Sequence, residues 1–360
     1  MPLTYIPFSD KKGTERRCTL NIDNTEVFVG APIFGNAPWL SFIAPIGQRK
    51  LYEQVRGETQ EPKEITLRLG EEYGAILISL RAMGVRFKIA FAYPEMMLPQ
   101  IRGFLEAEGF EFISFPKLGT QLIAFPRDLA IRLPNNIILM NSDLSGYRLR
   151  RRLDKKVLFS PYGEGGRLLA RKNMALVAEK IYPDGRVDKA VPAQPEPLLE
   201  AGLKVGLIPN PVTFGRERGL SGLVPGDHLD STCGLLEDAD GKLHLIVDPE
   251  IYSGWRGPYS TPEGPGITLT RYLHVCEELG IKLHIPKRLS VPASVSFVQF
   301  KSKQVLMTGG DEEVSGIVAS IVGEENVFMT PIPVRYYPAW SKAGIRCLIG
   351  EFPYSIPRVL

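Results

Sequence analysis

The chain has 360 residues, of which 44% are hydrophobic and 23% are charged, and its formal net charge is +3. This composition is typical of a globular protein with enough apolar residues for a large core, and the small net charge does not favour nucleic-acid binding. No stretch approaches the ~20 apolar residues of a membrane-spanning helix, so we expect no membrane association.

The segment 1–12 is polar and lacks the apolar centre of a secretory signal peptide. The four cysteines, Cys18, Cys233, Cys276 and Cys347, show no C-x-x-C spacing. We therefore expect neither a disulfide framework nor a structural zinc site, and we predict a cytoplasmic protein.

A short unit recurs along the chain, in which a helical stretch ends at a glycine and a β-rich run follows. The glycines are Gly84, Gly109, Gly202, Gly280 and Gly323. Glycine accepts the left-handed backbone that closes a helix, so we expect each of them at a helix C-terminus. Before Gly280, apolar residues at three- and four-residue steps predict the buried face of a helix. They are Leu269, Leu273, Cys276 and Leu279.

Pairs of apolar runs separated by polar turns predict β-hairpins between these units. The pairs are 19–22 with 27–29, 129–133 with 137–140, 233–236 with 243–247, and 295–300 with 304–307. A hairpin, a helix and a strand that recur about five times favour one closed assembly, so we predict a single domain over residues 1–360.

Four short segments within this framework carry chemically useful side chains. They are Pro126-Arg127-Asp128, Glu164-Gly165-Gly166, His228-Leu229-Asp230 and Gly344-Ile345-Arg346-Cys347. The carboxylates match the planar fork of N–H donors that a guanidinium cation presents. A cysteine thiolate can attack the central carbon of that cation, and a histidine can transfer the protons.

On these segments the chain resembles the guanidino-group-modifying enzymes of the pentein superfamily. The resemblance extends roughly over residues 125–353. It implies an α/β fold, a five-bladed pseudosymmetric propeller of ββαβ units. Family members carry a Glu-Gly-Gly-Asp turn, whereas Arg167 follows Gly166 here. This departure points either to a substrate that carries a carboxylate or to an arginine side chain directed into solvent.

The motifs and the resemblance together give the predicted site. We predict Cys347, His228, Glu164 and Asp230 as catalytic residues, and Arg127, Asp128, Gly165 and Gly166 as substrate-binding residues. Asp128 and Glu164 would hold the guanidinium plane from two edges, while Asp230 would orient His228 or bind the substrate.

The remaining cysteines and histidines are predicted to be structural or surface residues. They are Cys18, Cys233, Cys276, His244, His274 and His284. We predict no metal, because His228, Asp230 and Cys347 lack a fourth ligand and a closely spaced ligand pair. No other cofactor is predicted.

The leading functional hypothesis is a cysteine-dependent hydrolase of arginine, a methylated arginine, agmatine or a related guanidine, which acts through a covalent thiouronium. An amidinotransferase uses the same first half-reaction and then an amine in place of water. A non-catalytic pentein-fold binding protein is the third hypothesis. The predicted partner is a small guanidine, with no nucleic acid, and a homo-oligomer is possible.

Overall fold

The computed structural model describes thirteen stretches of the chain. They are residues 25–31, 49–58, 61–91, 99–115, 125–133, 137–141, 157–160, 165–181, 195–211, 228–249, 265–300, 303–341 and 344–353. Within these stretches, no helix is both long enough and apolar enough to cross a membrane.

Strands and helices alternate along the described stretches. The strands are β1 (Thr25–Gly30), β2 (Phe87–Phe91), β3 (Phe112–Ser114), β4 (Ala130–Arg132), β5 (Ile138–Asn141), β6 (Val157–Ser160), β7 (Leu168–Arg171), β8 (Met174–Ile181), β9 (Lys204–Pro211), β10 (Cys233–Glu237), β11 (Leu243–Val247), β12 (Ile281–His284), β13 (Val298–Gln299), β14 (Val305–Met307), β15 (Val327–Met329) and β16 (Ile349–Pro353). The helices are α1 (Arg49–Glu58), α2 (Pro62–Ala82), α3 (Pro99–Ala107), α4 (Pro126–Leu129), α5 (Glu196–Glu200), α6 (Pro265–Leu279), α7 (Glu312–Val322), α8 (Tyr336–Ser341) and α9 (Ile345–Leu348).

The described strands form five small sheets that share one pattern. Four sheets have the orders β4-β5-β6, β7-β8-β9, β10-β11-β12 and β13-β14-β15. In each of them the first two strands are antiparallel and the third is parallel to the second. The fifth sheet, β16-β1-β2-β3, repeats this pattern and adds one more parallel strand. The α/β class is therefore confirmed, while the closed five-bladed propeller stays a prediction.

The glycines predicted to end helices adopt the expected backbone. Gly84, Gly109, Gly202, Gly280 and Gly323 all have positive φ, between 66° and 89°. Side chains rarely tolerate this conformation, so glycine at these positions lets the chain leave the helix and turn into the next strand.

Three of the predicted hairpins are confirmed, and the fourth is only partly described. The confirmed pairs are β4 with β5, β10 with β11, and β13 with β14. Residues 19–22, the first half of the fourth predicted hairpin, lie outside the described residues. The strand β1 that contains 27–29 pairs with β16 in antiparallel fashion and with β2 in parallel fashion.

The chain divides into two compact units, each made of separate segments. The first unit contains Met1–Ala37, Gly84–Gly165 and Cys347–Leu360, and the second contains Pro38–Met83 and Gly166–Arg346. The sheets that contain β1 and β4 belong to the first unit, and the other three sheets belong to the second. The prediction of a single domain is not decided by this division.

In the second unit, α6 packs against its sheets through a face that differs by one residue from the predicted one. Tyr272 is fully buried and Cys276 nearly so, with Leu279 packed against the same cluster. Leu273 is exposed, so its assignment to the buried face was wrong. Tyr272 takes the position instead, since a step of four residues from Tyr272 to Cys276 follows the helical period.

The second unit also holds α8 by a buried carboxylate on α2. One oxygen of Glu72 accepts the backbone N–H groups of Arg335 and Tyr336, and the other accepts that of Tyr337, each at 2.8 Å. These donors lie at the start of α8, where a helix leaves N–H groups without intrahelical partners. Glu72 therefore fixes the start of the helix that precedes the Gly344 turn.

Candidate functional site

His228 and Asp230 form a close pair at the turn before β10. His228 directly precedes a 3-10 turn, Leu229–Ser231, and its carbonyl accepts the Ser231 hydroxyl at 2.7 Å. The Asp230 side chain is fully buried, while that of His228 is 22% exposed, and His228 Nδ1 lies 3.9 Å from Asp230 Oδ1. A carboxylate that faces Nδ1 leaves Nε2 as the nitrogen that can exchange protons with a ligand.

The predicted glycine pair allows two close approaches. A Cβ atom on Gly166 would overlap the His228 ring, and a Cβ atom on Gly165 would overlap the carbonyl oxygen of Arg127. Both glycines lie in the 3-10 turn Gly165–Arg167 that precedes β7. The absence of side chains at these positions therefore lets the histidine ring and the Arg127 backbone pack directly against this turn.

The Arg127–Asp128 pair lies in the one-turn helix α4, directly before β4, which pairs with β5 in a hairpin. Arg127 is half-buried. The side chain of Asp128 and the whole of Glu164 lie outside the described part of the molecule. The guanidinium-binding role of these two carboxylates therefore stays a prediction.

Arg167 does not reach freely into solvent. Its residue is only half-exposed, and its Nε atom is buried. The departure from the family motif had two explanations. The burial of Nε disfavours the one in which the side chain points into solvent. Recognition of a substrate carboxylate by Arg167 stays a prediction.

Cys347 lies in the one-turn helix α9, which leads into β16, and its side chain is 1% exposed. The residue is therefore both helical and buried. The preceding residues of the turn are held within the second unit. A Cβ atom on Gly344 would overlap the Ser296 side chain, and Arg346 donates to the Phe297 carbonyl at 3.3 Å.

Two other cysteines are suited to the core rather than to catalysis. Cys233 and Cys276 both belong to the hydrophobic cluster around Tyr272. Burial raises the pKa of the Cys233 thiol to about 12 and that of the Cys276 thiol to about 11. Both therefore remain protonated near neutral pH, and a thiol is a much weaker nucleophile than a thiolate. Cys18 lies outside the described residues.

The remaining histidines have structural or surface partners. Nδ1 of His244 on β11 lies 2.9 Å from Nε2 of His284 on β12. Nε2 of His244 lies 3.1 Å from Oδ2 of Asp238. Burial, and then the nearby charge of His244, lowers the pKa of His284 to about 4. His274 is exposed on α6 beside Glu278. These surroundings agree with the predicted structural and surface roles.

Four of the five sheets carry a predicted site segment directly before their first antiparallel strand. Asp128 lies two residues before β4, Gly166 two before β7, Asp230 three before β10, and Cys347 two before β16. Each of these segments therefore lies at the turn that leads into its sheet. Imidazole, carboxylate and thiolate groups are all metal-ligating types, and the absence of a metal stays a prediction.

The chain is similar to solved structures that carry enzyme names. One is a dimethylarginine dimethylaminohydrolase adduct with 4-chloro-2-hydroxymethylpyridine, at 11% identity and a TM-score of 0.47, over 91% of this chain and 99% of that chain. Another is the agmatine deiminase of C. jejuni, at 13% identity and a TM-score of 0.48, over 91% of this chain and 92% of that chain.

No protein-family model matches the sequence, and no curated protein matches it significantly. Identities and TM-scores as low as those of the similar structures carry no argument about function. The assignment of a function therefore rests on the residues of this chain and their contacts.

Proposed function

We propose that this protein is a cysteine-dependent hydrolase of a guanidinium group, with Cys347 as the nucleophile. The observation that carries the proposal is the His228–Asp230 pair. The histidine is partly exposed, its Nδ1 faces a fully buried carboxylate, and its ring packs on the Cα of Gly166. Such a histidine is oriented for proton transfer, as a general acid or base must be.

Chain connectivity supports one shared site. Gly166, which contacts the His228 ring, is joined by a peptide bond to Gly165, which contacts the Arg127 carbonyl. Glu164 directly precedes Gly165, and Asp128 directly follows Arg127. The two predicted carboxylates and the histidine are therefore tied to neighbouring points of the backbone, as a site for one small ligand requires.

In the proposed ground state, Asp128 and Glu164 hold the guanidinium plane by charge-assisted hydrogen bonds. These bonds leave the central carbon open above and below the plane. The cation also favours the thiolate form of a nearby cysteine by charge attraction. Binding of the substrate thus helps to create the nucleophile that attacks it.

In the first half-reaction, the Cys347 sulfur forms a bond to the central carbon and gives a tetrahedral adduct. The bond from that carbon to the departing nitrogen then breaks, while His228 donates a proton to that nitrogen. The leaving group departs as an amine or ammonia. A covalent thiouronium remains on Cys347, and His228 is left without its proton.

In the second half-reaction, His228 takes a proton from water, whose oxygen attacks the thiouronium carbon. The carbon–sulfur bond breaks and the thiolate is released, the second proton of the water passes to solvent, and the product is a ureido compound. Asp230 stabilises the charged imidazole and keeps the ring oriented in both halves. The proton that His228 gives to the leaving group in the first half is thus replaced by one from water in the second.

The proposal is tested with a panel of guanidines that includes arginine, methylated arginines and agmatine. We expect a ureido product together with ammonia or an amine in equal amount. Transfer of the amidino group to an added amine would instead identify an amidinotransferase. The absence of both products over the whole panel would contradict catalysis on these guanidines and favour the non-catalytic binding protein.

A further inference from the structure

The sheet β13-β14-β15 has a candidate at the position where the other four sheets carry predicted site residues. Its first strand is β13, and Ser296 lies two residues before that strand. This is the same offset as Asp128 before β4, Gly166 before β7 and Cys347 before β16. None of the four motifs includes Ser296, so the repeat itself draws attention to it.

The Ser296 side chain is buried without a visible reason in the fold. Ser296 is 2% exposed, and its hydroxyl has no hydrogen-bond partner among the residues that the structure describes. A buried hydroxyl without a partner destabilises a protein, because it has lost its bonds to water. A hydroxyl that a ligand completes is one physical reason to keep such a group.

The surroundings of Ser296 hold it in place against the nucleophile turn. Its own N–H donates to the carbonyl of Ala293 at 2.8 Å, and Ala293 has a φ of 53°. The Ser296 hydroxyl lies where a side chain on Gly344 would have to be. Gly344 precedes Cys347 by three residues, and three residues span at most about 11 Å.

We propose that the Ser296 hydroxyl accepts a hydrogen bond from the guanidinium group of the substrate. This inference rests on the proposed function and identifies a further substrate-contacting residue for it. Serine oxygen has two acceptor lone pairs and carries no charge, so it binds an N–H group without adding a third negative charge to the site.

The number of N–H groups on a guanidinium decides whether it needs a further acceptor such as Ser296. A guanidinium with a single substituent has five N–H donors. Two carboxylates that each bind a pair of donors leave one donor over, and a buried donor without an acceptor weakens binding. Ser296 therefore favours a guanidine whose terminal nitrogens are not methylated, because methyl groups remove the donors that need this acceptor.

The stability test uses Ser296→Ala beside Ser294→Ala, a matched serine in the same loop. The Ser294 hydroxyl donates to Asp311 at 2.7 Å, and both residues are buried. We expect Ser294→Ala to lower the melting temperature by about 2 °C or more, since a bond to a charged group is lost. We expect Ser296→Ala to leave it unchanged or to raise it, because the lost hydroxyl had no partner.

The functional test measures kcat/KM for arginine and for asymmetric N,N-dimethylarginine, or for another active guanidine and its terminally methylated form. We expect Ser296→Ala to lower kcat/KM for the unmethylated compound about ten- to a hundredfold, and to affect the methylated one much less. Ser294→Ala should leave kcat/KM unchanged for both the unmethylated and the methylated compound. Ser296→Cys, whose sulfur is somewhat larger than the serine oxygen and is a weak acceptor, should behave like Ser296→Ala.

Equal losses on both compounds, or unchanged kinetics with a lowered melting temperature, would overturn the inference. A protein that converts no guanidine would refute the proposed function but still allow this test. In that case methylguanidine should raise the melting temperature of the native protein more than that of Ser296→Ala. Equal shifts, or no shift of the native protein, would overturn the role of Ser296.

Discussion

His228 is held by contacts on three sides. Gly166 lies against its ring, Asp230 faces Nδ1, and Ser231 donates to its carbonyl through both the hydroxyl and the backbone N–H. None of these contacts depends on a ligand. The orientation of the ring is therefore a property of the folded chain. The entropic cost of orienting the ring for proton transfer is met when the protein folds.

We predict that His228→Asn lowers kcat/KM about a hundredfold or more, because general acid–base transfer typically contributes a factor of this size. Steady-state kinetics with the best guanidine of the panel measures the effect. His274→Asn is the matched control, since His274 is exposed on α6 and pairs only with Glu278 in the described contacts. Full turnover by His228→Asn would move the acid–base role to another group.

The Gly166 contact gives a second prediction at this scale. Gly166→Ala places a methyl group where the His228 ring now lies, so the ring must move. A displacement near 1 Å can reduce the rate about a hundredfold, and we expect a loss of that order in kcat. Steady-state kinetics gives kcat of Gly166→Ala, and its melting temperature shows whether the variant is still folded.

The control for Gly166→Ala is Gly74→Ala in the interior of α2, where a Cβ atom would meet nothing within 4 Å. Alanine there should stabilise the protein by roughly 0.5–1 kcal/mol, because glycine is a poor helix former. Unchanged kcat in Gly166→Ala would show that the ring position has no part in the reaction.

The sequence could identify the Gly165-Gly166 pair and the His-x-Asp spacing, because both are local patterns. It could not identify Ser296, since a single serine between apolar residues carries no local signal. Its burial depends on Gly344, which is 48 residues away along the chain. The burial of Cys347 has no local signal either, since the residue lies directly before β16, whose partner β1 is more than 300 residues away along the chain.

At the scale of elements, the junction of α2 with α8 contains a buried carboxyl group whose protonation depends on pH near neutrality. Burial raises the pKa of Glu72 to about 7, although three backbone N–H groups act in the opposite direction. Glu72 is 3% exposed, so the loss of water around the carboxylate outweighs the hydrogen bonds that it gains.

A raised carboxyl pKa has a definite consequence for stability. The folded protein binds the Glu72 proton more tightly than the unfolded chain, whose pKa is near 4.5. This contribution to stability is fully present below pH 4.5 and is lost as the pH rises through about 7. We predict that the free energy of unfolding, relative to that of Glu72→Gln, falls by roughly 3 kcal/mol between pH 4.5 and pH 8.

Urea unfolding of the native protein and of Glu72→Gln at several pH values measures this difference. Glu71→Gln serves as the control, because Glu71 is exposed and pairs with Arg68 at 3.2 Å on the outer face of α2. Its unfolding free energy should run parallel to that of the native protein. Parallel curves for Glu72→Gln as well would contradict the raised pKa.

Element boundaries were predictable where glycine and hydrophobic period agree. Gly280 and Gly323 end α6 and α7 within one residue of the predicted positions. The partner of β1 was not predictable, because β16 follows it by more than 300 residues and strand propensity does not specify a partner. The same limit applies to Glu72, whose backbone partners are more than 260 residues away.

At the scale of the molecule, five sheets share one strand pattern, and a residue of the proposed site lies two or three residues before the first strand of each sheet. The strand pattern is the same in the five sheets, whereas the residue in the turn before the first strand differs in chemical type from sheet to sheet. The proposed reaction uses segments that are scattered from residue 128 to residue 347 and share no long motif. The closed propeller that would bring the turns together is the corresponding prediction for the whole chain.

The most direct test of the central claim is a search for the covalent bond between the Cys347 sulfur and the guanidinium carbon. The native protein, Cys347→Ser and the core control Cys276→Ser are mixed with the best guanidine, quenched in acid and analysed by intact mass and peptide mapping. We predict an adduct on Cys347 in the native protein and in Cys276→Ser, and neither adduct nor ureido product in Cys347→Ser. Turnover by Cys347→Ser at a near-native rate would contradict the account.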